Sequence, residues 1–424
     1  MNVLFFSTFE KYGGAAMASY RLFDALQKNT DADYHLLVTD LKKSKNNVIT
    51  LHQNFLQQKI HYTKFVLERL HFWSYMKDKS HKYAFSPANY GVNQIEKHFL
   101  VKEADILHLN WINFGFLSLK NLEKLCKTHK KIVWTMHDMW AFTGGCHYAG
   151  NCKNFENQCG NCQFLKNAHE KDWSFQIFQK KKEIFKNTKI HFVGSSQWIT
   201  KEAQKSGLWN ENHTFQNIPT PIDTQIFKPL DKMALRKKYN LPENKFFLLF
   251  GAMNIADKRK GFNLLLQSLF LYKQKNINNS IHLLIFGKST PELLEKLPFS
   301  YTNLGILKDE NSIKEAYNLA HAFVLPSLED NLPNTILESL ACGTPAVAYQ
   351  LGGMTDMIDP EKNGFLAQTL TPESLYLQIE KIINIWENNV EMWNNFEKEA
   401  RQKALKDYSE SVVAKKYFEM YQSL

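Results

Sequence analysis

The chain has 424 residues, 44% of them hydrophobic and 22% charged, with a net charge of +10 and six cysteines. That length is too great for one ordinary core, so two domains of about 200 residues each are expected, with the composition of a soluble globular protein. No apolar run reaches the ~18 residues that would span a bilayer, and the excess charge is uneven: residues 1–220 hold 29 Lys and Arg against 18 Asp and Glu, the remainder 23 against 24.

The start, MNVLFFSTFEKYGG, has neither a basic leader nor a long apolar core, so Val3–Ser7 reads as a buried strand and not as a secretory signal. A cytoplasmic chain with unpaired thiols is the expectation. Gly13-Gly14-Ala15-Ala16 follows that strand and opens a helix, Ala15–Leu26. Glycines there either let backbone approach a ligand closely or form a plain tight turn. His35–Thr39, Ile106–His108, Ile132–Met136 and His191–Gly194 read as further strands of a first sheet.

Between them lies KIHYTKFVLERLHFWSYMKDKSHK, residues 59–82, which mixes Lys59, Lys64, Arg69, Lys77, Lys79 and Lys82 with Phe65, Phe72, Trp73 and Tyr75. Basic and aromatic residues on one amphipathic helix favour an anionic bilayer interface; the alternative is a surface helix whose aromatics face the core. No nucleic-acid motif accompanies the charge, so nucleic acid is not the expected partner. His137-Asp138 follows Ile132–Met136, where a strand-end histidine can hydrogen-bond a substrate or share a proton, or can be structural.

Cys146, Cys152, Cys159 and Cys162 follow, spaced C-x5-C-x6-C-x2-C, with His147 a possible substitute ligand. Four thiols this close can hold a structural zinc and close a loop with little core of its own. Free thiols packed as small hydrophobes, or disulfides, are the alternatives. Asn217–Pro229 (NIPTPIDTQIFKP) carries three prolines and is the expected boundary, giving domains 1–218 and 219–408.

Phe246–Phe250, His282–Phe286, Ala322–Pro326 and Ala346–Tyr349 read as strands of a second sheet. Alternation of strand and helix predicts parallel sheets covered by helices, an α/β class. Asp257-Lys258-Arg259-Lys260-Gly261 follows the first of these strands and can neutralise a diphosphate, or is a solvated basic turn. Residues 323–365 are the most informative stretch: a strand ends at Pro326-Ser327, Glu329 and Asp330 follow, a helix near Asn334 carries Glu338 and stops at Gly343, and a second strand runs into Gly352-Gly353. Acids and glycines stand where strands end, the edge at which open parallel sheets bind ligands. The helix start can hold a phosphate and Glu338 sugar hydroxyls, unless both acids are merely solvated. Ser409–Leu424 has an amphipathic helical pattern.

The segment Ser327-Leu328-Glu329-Asp330 to Glu338-Ser339-Leu340-Ala341-Cys342-Gly343-Thr344-Pro345 resembles the S-x-x-E-x7-E and A-C-G-x-P pattern of glycosyltransferase family 4, retaining enzymes of the GT-B fold. Lys260-Gly261, the hinge Pro221-Ile222-Asp223 to Phe227 and Pro229, and the W-T-M-H-D-x-W context of His137 are similar too. The resemblance implies two Rossmann-like domains with parallel sheets facing across a cleft, and a last helix, 409–424, returning to the first domain. It implies donor contacts at Gly13, Gly14, Gly305, Ile306, Leu332, Asn334, Thr335, Glu338, Gly353 and Met354, and a catalytic set of His137, Asp330, Lys260 and Arg259. Two departures stand out. Position 330 is Asp where the family has Glu, shorter by roughly 1.5 Å, so Glu329 is the second choice for the sugar contact. The family's earlier Gly-Arg is absent, since Gly251 precedes Ala252, and Arg259 takes the place of that cation.

The reading is therefore a retaining glycosyltransferase. It takes a nucleotide-sugar donor and a glycan or lipid-linked acceptor, at an anionic membrane surface, in surface polysaccharide or lipopolysaccharide assembly. No catalytic metal is expected, because cations and helix ends can stabilise a leaving diphosphate. Other GT-B chemistry (a nucleotide-sugar epimerase or a phosphorylase) and a non-catalytic sugar-nucleotide binding protein are the alternatives.

Overall fold

The computed structural model describes residues 1–40, 44–52, 54–276 and 281–424. The chain divides into two compact units, Met1–Thr220 with Val413–Leu424, and Pro221–Val412. Among the described residues each unit is built on one sheet whose strand pairings are all parallel.

Unit 1 holds β1 (Asn2–Phe6), β2 (Asp33–Val38), β3 (Val48–Thr50), β4 (Ile106–Leu109), β5 (Lys131–Met136), β6 (Ile190–Gly194) and β7 (Thr214–Asn217), in the order β3-β2-β1-β4-β5-β6-β7. Unit 2 holds β8 (Phe246–Asn254), β9 (Ile281–Lys288), β10 (Tyr301–Gly305), β11 (Ala322–Leu325), β12 (Ala346–Tyr349) and β13 (Gly364–Ala367), in the order β10-β9-β8-β11-β12-β13. Central strands such as β1, β4 and β11 are buried along nearly their whole length. Their unbroken apolar runs follow from helices covering both faces of a parallel sheet. β3, β7, β10 and β13 are the strands that the sequence pattern does not announce. All four are edge strands, and β7 is polar and mostly exposed (TFQN), so alternation and apolarity both fail as signals there.

The last helix, Glu410–Ser423, buries Val413, Ala414, Tyr417, Met420 and Tyr421 in the same core as Val3, Phe5, Leu36 and Val133 of unit 1. A polar chain locks it in place. His108 Nδ1 meets the Tyr421 hydroxyl at 2.5 Å, His108 Nε2 meets Thr135 Oγ1 at 2.7 Å, and Thr135 meets the Tyr417 hydroxyl at 3.0 Å. Burial holds the His108 imidazole well below its ordinary pKa, so this network is neutral.

Each sheet order reverses once, between β1 and β4 in unit 1 and between β8 and β11 in unit 2. At such a switch point the flanking loops diverge and leave a crevice at the carboxyl ends of the strands. The chemistry-bearing loops leave these strands and their neighbours β5 and β12.

Candidate active site

In unit 2 the loops after β8 and β11 are stitched together. Lys260 Nζ donates to Asp330 Oδ2 at 2.6 Å, and Arg259 Nη1 lies 3.6 Å from Asp330 Oδ1. Arg259 also donates to the Glu329 main-chain carbonyl at 2.8 Å, and Leu328 N–H donates to the Arg259 carbonyl at 2.8 Å. Thus Asp330 takes the ion pair with Lys260, while Glu329 meets Arg259 through its backbone. Gly261 makes the approach possible. Its φ is +70°, and a Cβ there would stand 1.8 Å from the Pro326 carbonyl oxygen. Burial alone would raise the Asp330 carboxyl; Lys260 and Arg259 outweigh it and hold it below the usual carboxylate range. Burial lowers the Lys260 ammonium, against the opposing pull of Asp330.

Helix Asn334–Ala341 begins four residues after Asp330, and no side chain caps its N-terminus. Its first turn, with Asn334 and Thr335, presents main-chain N–H groups toward the end where anions settle. Glu338 lies one turn further on, buried, and accepts from the Tyr317 hydroxyl at 3.0 Å. Leu332 packs, partly buried, against the core beneath.

The loop after β12 packs against the Asp330 loop. Gly352 is in the left-handed region, φ +56°, and a Cβ there would meet the Asp330 carbonyl at 2.0 Å. The neighbouring Gly353 N–H donates to that same carbonyl at 3.2 Å, so it holds the Asp330 loop. Met354 is fully buried in the core. Gly305 and the exposed Ile306 end β10 at the same sheet edge, two strands from β8.

In unit 1, His137 follows β5 and meets residues from two other elements. Its Nε2 lies 3.2 Å from Ser19 Oγ and 3.0 Å from Asn110 Oδ1. The Ser19 hydroxyl already donates to the Ala15 carbonyl at 2.8 Å, so both partners act as acceptors. That assigns the proton to Nε2 and leaves Nδ1 the acceptor of the ring. Burial pushes the His137 pKa down to about 4, so the imidazole is neutral at pH 7. Gly13 and Gly14 open helix Gly14–Asn29, which carries Ser19; Gly13 has φ +92° and open space where a Cβ would stand. Ser19 and Asn110 carry no sequence signal, because the contact joins residues far apart in the chain. Asp138 is a hub: it accepts from Trp111 Nε1, the Trp140 N–H and His147 Nδ1 at 2.8, 2.8 and 2.7 Å.

His147 is thereby excluded as a substitute metal ligand, since its other nitrogen meets Ser86 Oγ at 2.8 Å. Cys146, Cys152, Cys159 and Cys162 all line one small cavity. All are free thiols. The sulfurs line this space without converging: among the described residues no group of three or more His, Cys, Asp or Glu stands in metal-holding geometry.

Helix Phe55–Tyr75 divides the basic-aromatic segment. Phe72 is buried, while Phe55, Leu56, Ile60, Leu67, Leu70 and Trp73 are exposed. Lys64 and Arg69 are turned to structural use: Lys64 donates to the Gly91 carbonyl at 2.7 Å, and Arg69 pairs with the buried Glu68 at 3.1 Å. Lys59, Lys77, Lys79 and Lys82 remain exposed. Among the described residues no helix is long and apolar enough to cross a membrane.

Residues 231–403 match the family model of glycosyl transferases group 1. A glycogen synthase of Mycoplasma mobile is 26% identical over 340 residues, 68% of this chain and 68% of its own. The putative colanic acid biosynthesis glycosyl transferase WcaC of Escherichia coli is 24% identical over 330 residues, 75% of this chain and 76% of its own. Among solved structures, sucrose-phosphate synthase from Thermosynechococcus elongatus matches with a TM-score of 0.68 at 17% identity, over 100% of this chain and 98% of its own. Anabaena HepE in complex with UDP matches with a TM-score of 0.65 at 14% identity, over 100% of both chains. The two parallel α/β sheets are those of the GT-B fold.

Proposed function

We propose, from the premise that residues 231–403 form a group 1 glycosyltransferase domain, that the chain is a retaining glycosyltransferase. It moves a sugar from a nucleotide-sugar donor to a glycan or lipid-linked glycan acceptor in surface polysaccharide assembly. The observation that carries this reading is the Arg259–Lys260–Asp330 cluster at the unit 2 switch point, beside the uncapped helix Asn334–Ala341. Two half-buried cations and a helix N-terminus suit a diphosphate that gains charge as it leaves, where electrostatic stabilisation acts most strongly. Anabaena HepE is solved with UDP, and also with UDP-glucose, which supports a nucleotide donor for a chain of this fold.

In the proposed reaction the bond from the anomeric carbon to the phosphate oxygen breaks and a bond to the acceptor oxygen forms on the same face. The acceptor proton passes to the departing diphosphate. Lys260 and Arg259 exchange part of their pairing with Asp330 for the diphosphate oxygens, and Asp330 keeps the buried Lys260 charged until then. Glu338 accepts from the ribose hydroxyls. His137, neutral, is assigned to the donor sugar. The acceptor is assigned to the basic unit 1.

Thermal-shift screening against UDP-, GDP-, ADP- and TDP-sugars tests the donor half, since a ligand of the folded state alone raises the melting temperature. One class is expected to shift it, and no shift with any would overturn the reading. Retention is checked by NMR of the product's anomeric configuration. Equal donor hydrolysis by wild type and Asp330→Ala would favour a non-catalytic binding protein.

The exposed apolar face of helix Phe55–Tyr75, flanked by Lys59, Lys77, Lys79 and Lys82, is assigned to the inner face of the cell membrane, where the acceptor is presented. Flotation with anionic vesicles is expected to carry the protein, and Leu67→Asp with Leu70→Asp to release it. Failure of wild type to float would remove the membrane from the proposal.

A further inference from the structure

We propose that Cys146, Cys152, Cys159 and Cys162 bind one structural zinc ion in unit 1, a site independent of the glycosyltransferase reading. The four thiols come from seventeen consecutive residues and line a single cavity of about 20 Å³. That is room for one occupant the size of a water molecule or an ion. Phe85 and Phe164 close the space, and no carboxylate lines it. An apolar hole of this size would ordinarily be filled by a side chain; here four soft ligands face it instead, the donor set of tetrahedral zinc.

The surrounding backbone is organised around the sulfurs. Cys159, Gly160 and Asn161 all have positive φ (55°, 108° and 48°). Such a run is costly for the two residues that carry a Cβ, and it persists where surrounding structure over-determines it. Gly144 donates its N–H to Cys159 Sγ at 3.2 Å, a bond that a thiolate accepts far better than a thiol. Asp172 fixes Cys162 by accepting its N–H at 2.8 Å, and holds Ser174 with its other oxygen. This is outer-shell support of the kind that orients metal ligands. Gly144 and Gly160 have no room for a side chain, because a Cβ at either would lie 2.2 Å from a carbonyl oxygen. Apart from the turn Asn154–Glu156, residues 143–172 form no helix or strand, and they join the core of unit 1 through Ala149, Phe155, Phe164 and Leu165.

A buried lysine stands on the helix Trp173–Phe185 that follows this loop. Lys181 is fully buried, and its ammonium donates to the carbonyls of Trp140 and Thr143 over the Trp140 ring. A buried cation needs a nearby anion. Zinc bound by four thiolates carries two net negative charges, which Lys181 partly offsets. Binding requires the thiols to close from lining the cavity to sulfur–zinc bonds of about 2.3 Å. The ion would then hold the loop that supplies His147 to Asp138, and with it the approach to His137.

The test uses the full chain purified under reducing conditions without chelator. Metal analysis is expected to find one zinc per chain, released by a mercurial thiol reagent with a fall in melting temperature. Cobalt taken up by the metal-free protein is expected to show the visible bands of a tetrahedral tetrathiolate site. Cys159→Ser and Cys162→Ser should lose stoichiometric zinc, whereas Cys126→Ser and Cys342→Ser should keep it. If the first two variants do not fold, the cobalt spectrum of the wild type decides. Wild type that neither holds zinc nor takes up cobalt overturns the proposal. So do four cysteines recovered as two disulfides, or zinc retained in folded Cys159→Ser and Cys162→Ser.

Discussion

The two switch points of this chain carry opposite kinds of chemistry. In unit 2 the loops that meet there bring fixed charge: Lys260, Arg259 and Asp330, closed on one another at 2.6 and 3.6 Å. In unit 1 the corresponding place brings a neutral imidazole between a hydroxyl and an amide, Ser19 and Asn110. Parallel sheets of similar build thus present a crevice suited to an anion and one suited to hydroxyl groups. Topology supplies the crevice, and the loop residues decide what it holds.

Removing the central cation tests the charged side most severely. Lys260→Met is expected to lower turnover by about 10²–10³-fold, the scale of a lost charge-stabilising donor. It also leaves Asp330 buried without its closest partner, at a cost of about 3–5 kcal/mol in stability. Adding Asp330→Asn should restore much of the melting temperature but none of the turnover. A double variant that turns over normally would show that the charge is structural. Gly261→Ala tests position without touching charge. Its Cβ would stand 1.8 Å from the Pro326 oxygen at a φ of +70°, so the Lys260 loop must move. A displacement near 1 Å is expected to reduce kcat by about 10²-fold, read in steady-state kinetics beside an unchanged far-ultraviolet circular dichroism spectrum.

These residues differ in how far the chain reveals them. Lys260 and Asp330 stand where apolar runs end, so their place at a sheet edge is legible. Their ion pair is not, because it depends on Gly261 letting two loops touch. Glycine pairs are similarly ambiguous. Gly352-Gly353 reads as a ligand loop, yet its conformation serves to pack against the Asp330 carbonyl, and Met354 turns into the core. The neutral site of unit 1 is the least legible, since Ser19, Asn110 and His137 lie on three separated segments with no spacing to link them. Central strands are clear for the same reason that β3, β7, β10 and β13 are obscure: burial on both faces writes apolar runs, and edges do not.

Glu338→Gln sharpens the comparison within unit 2 by separating the carboxylate proposed for the nucleoside from the cations proposed for its phosphates. The amide keeps the hydrogen bond from Tyr317 but loses the ionised acceptor, worth about 1.5–3 kcal/mol for a hydrogen bond to a charged group. Donor KM is expected to rise by about 10–100-fold while kcat changes little. A fall in kcat of the Lys260 kind would mean that the carboxylate acts on the leaving group instead.

His137 gives the smallest effect and the one specific to the neutral crevice. Its folded pKa of about 4 lies below the ordinary 6.5. Above pH 6.5 both states are unprotonated and the shift contributes nothing to pH dependence. As pH falls from 6.5 toward 4, the unfolded chain takes the proton first, and stability drops. His61 and His213, also lowered to about 4 by burial, add to the same decline. His137→Gln should therefore flatten the acid side of the melting curve only in part, while turnover of the wild type stays level between pH 6.5 and 8 as far as this group is concerned. An inflection near neutrality that vanishes in His137→Gln would mean that the imidazole takes up a proton in the working range, and that the crevice of unit 1 handles charge as unit 2 does.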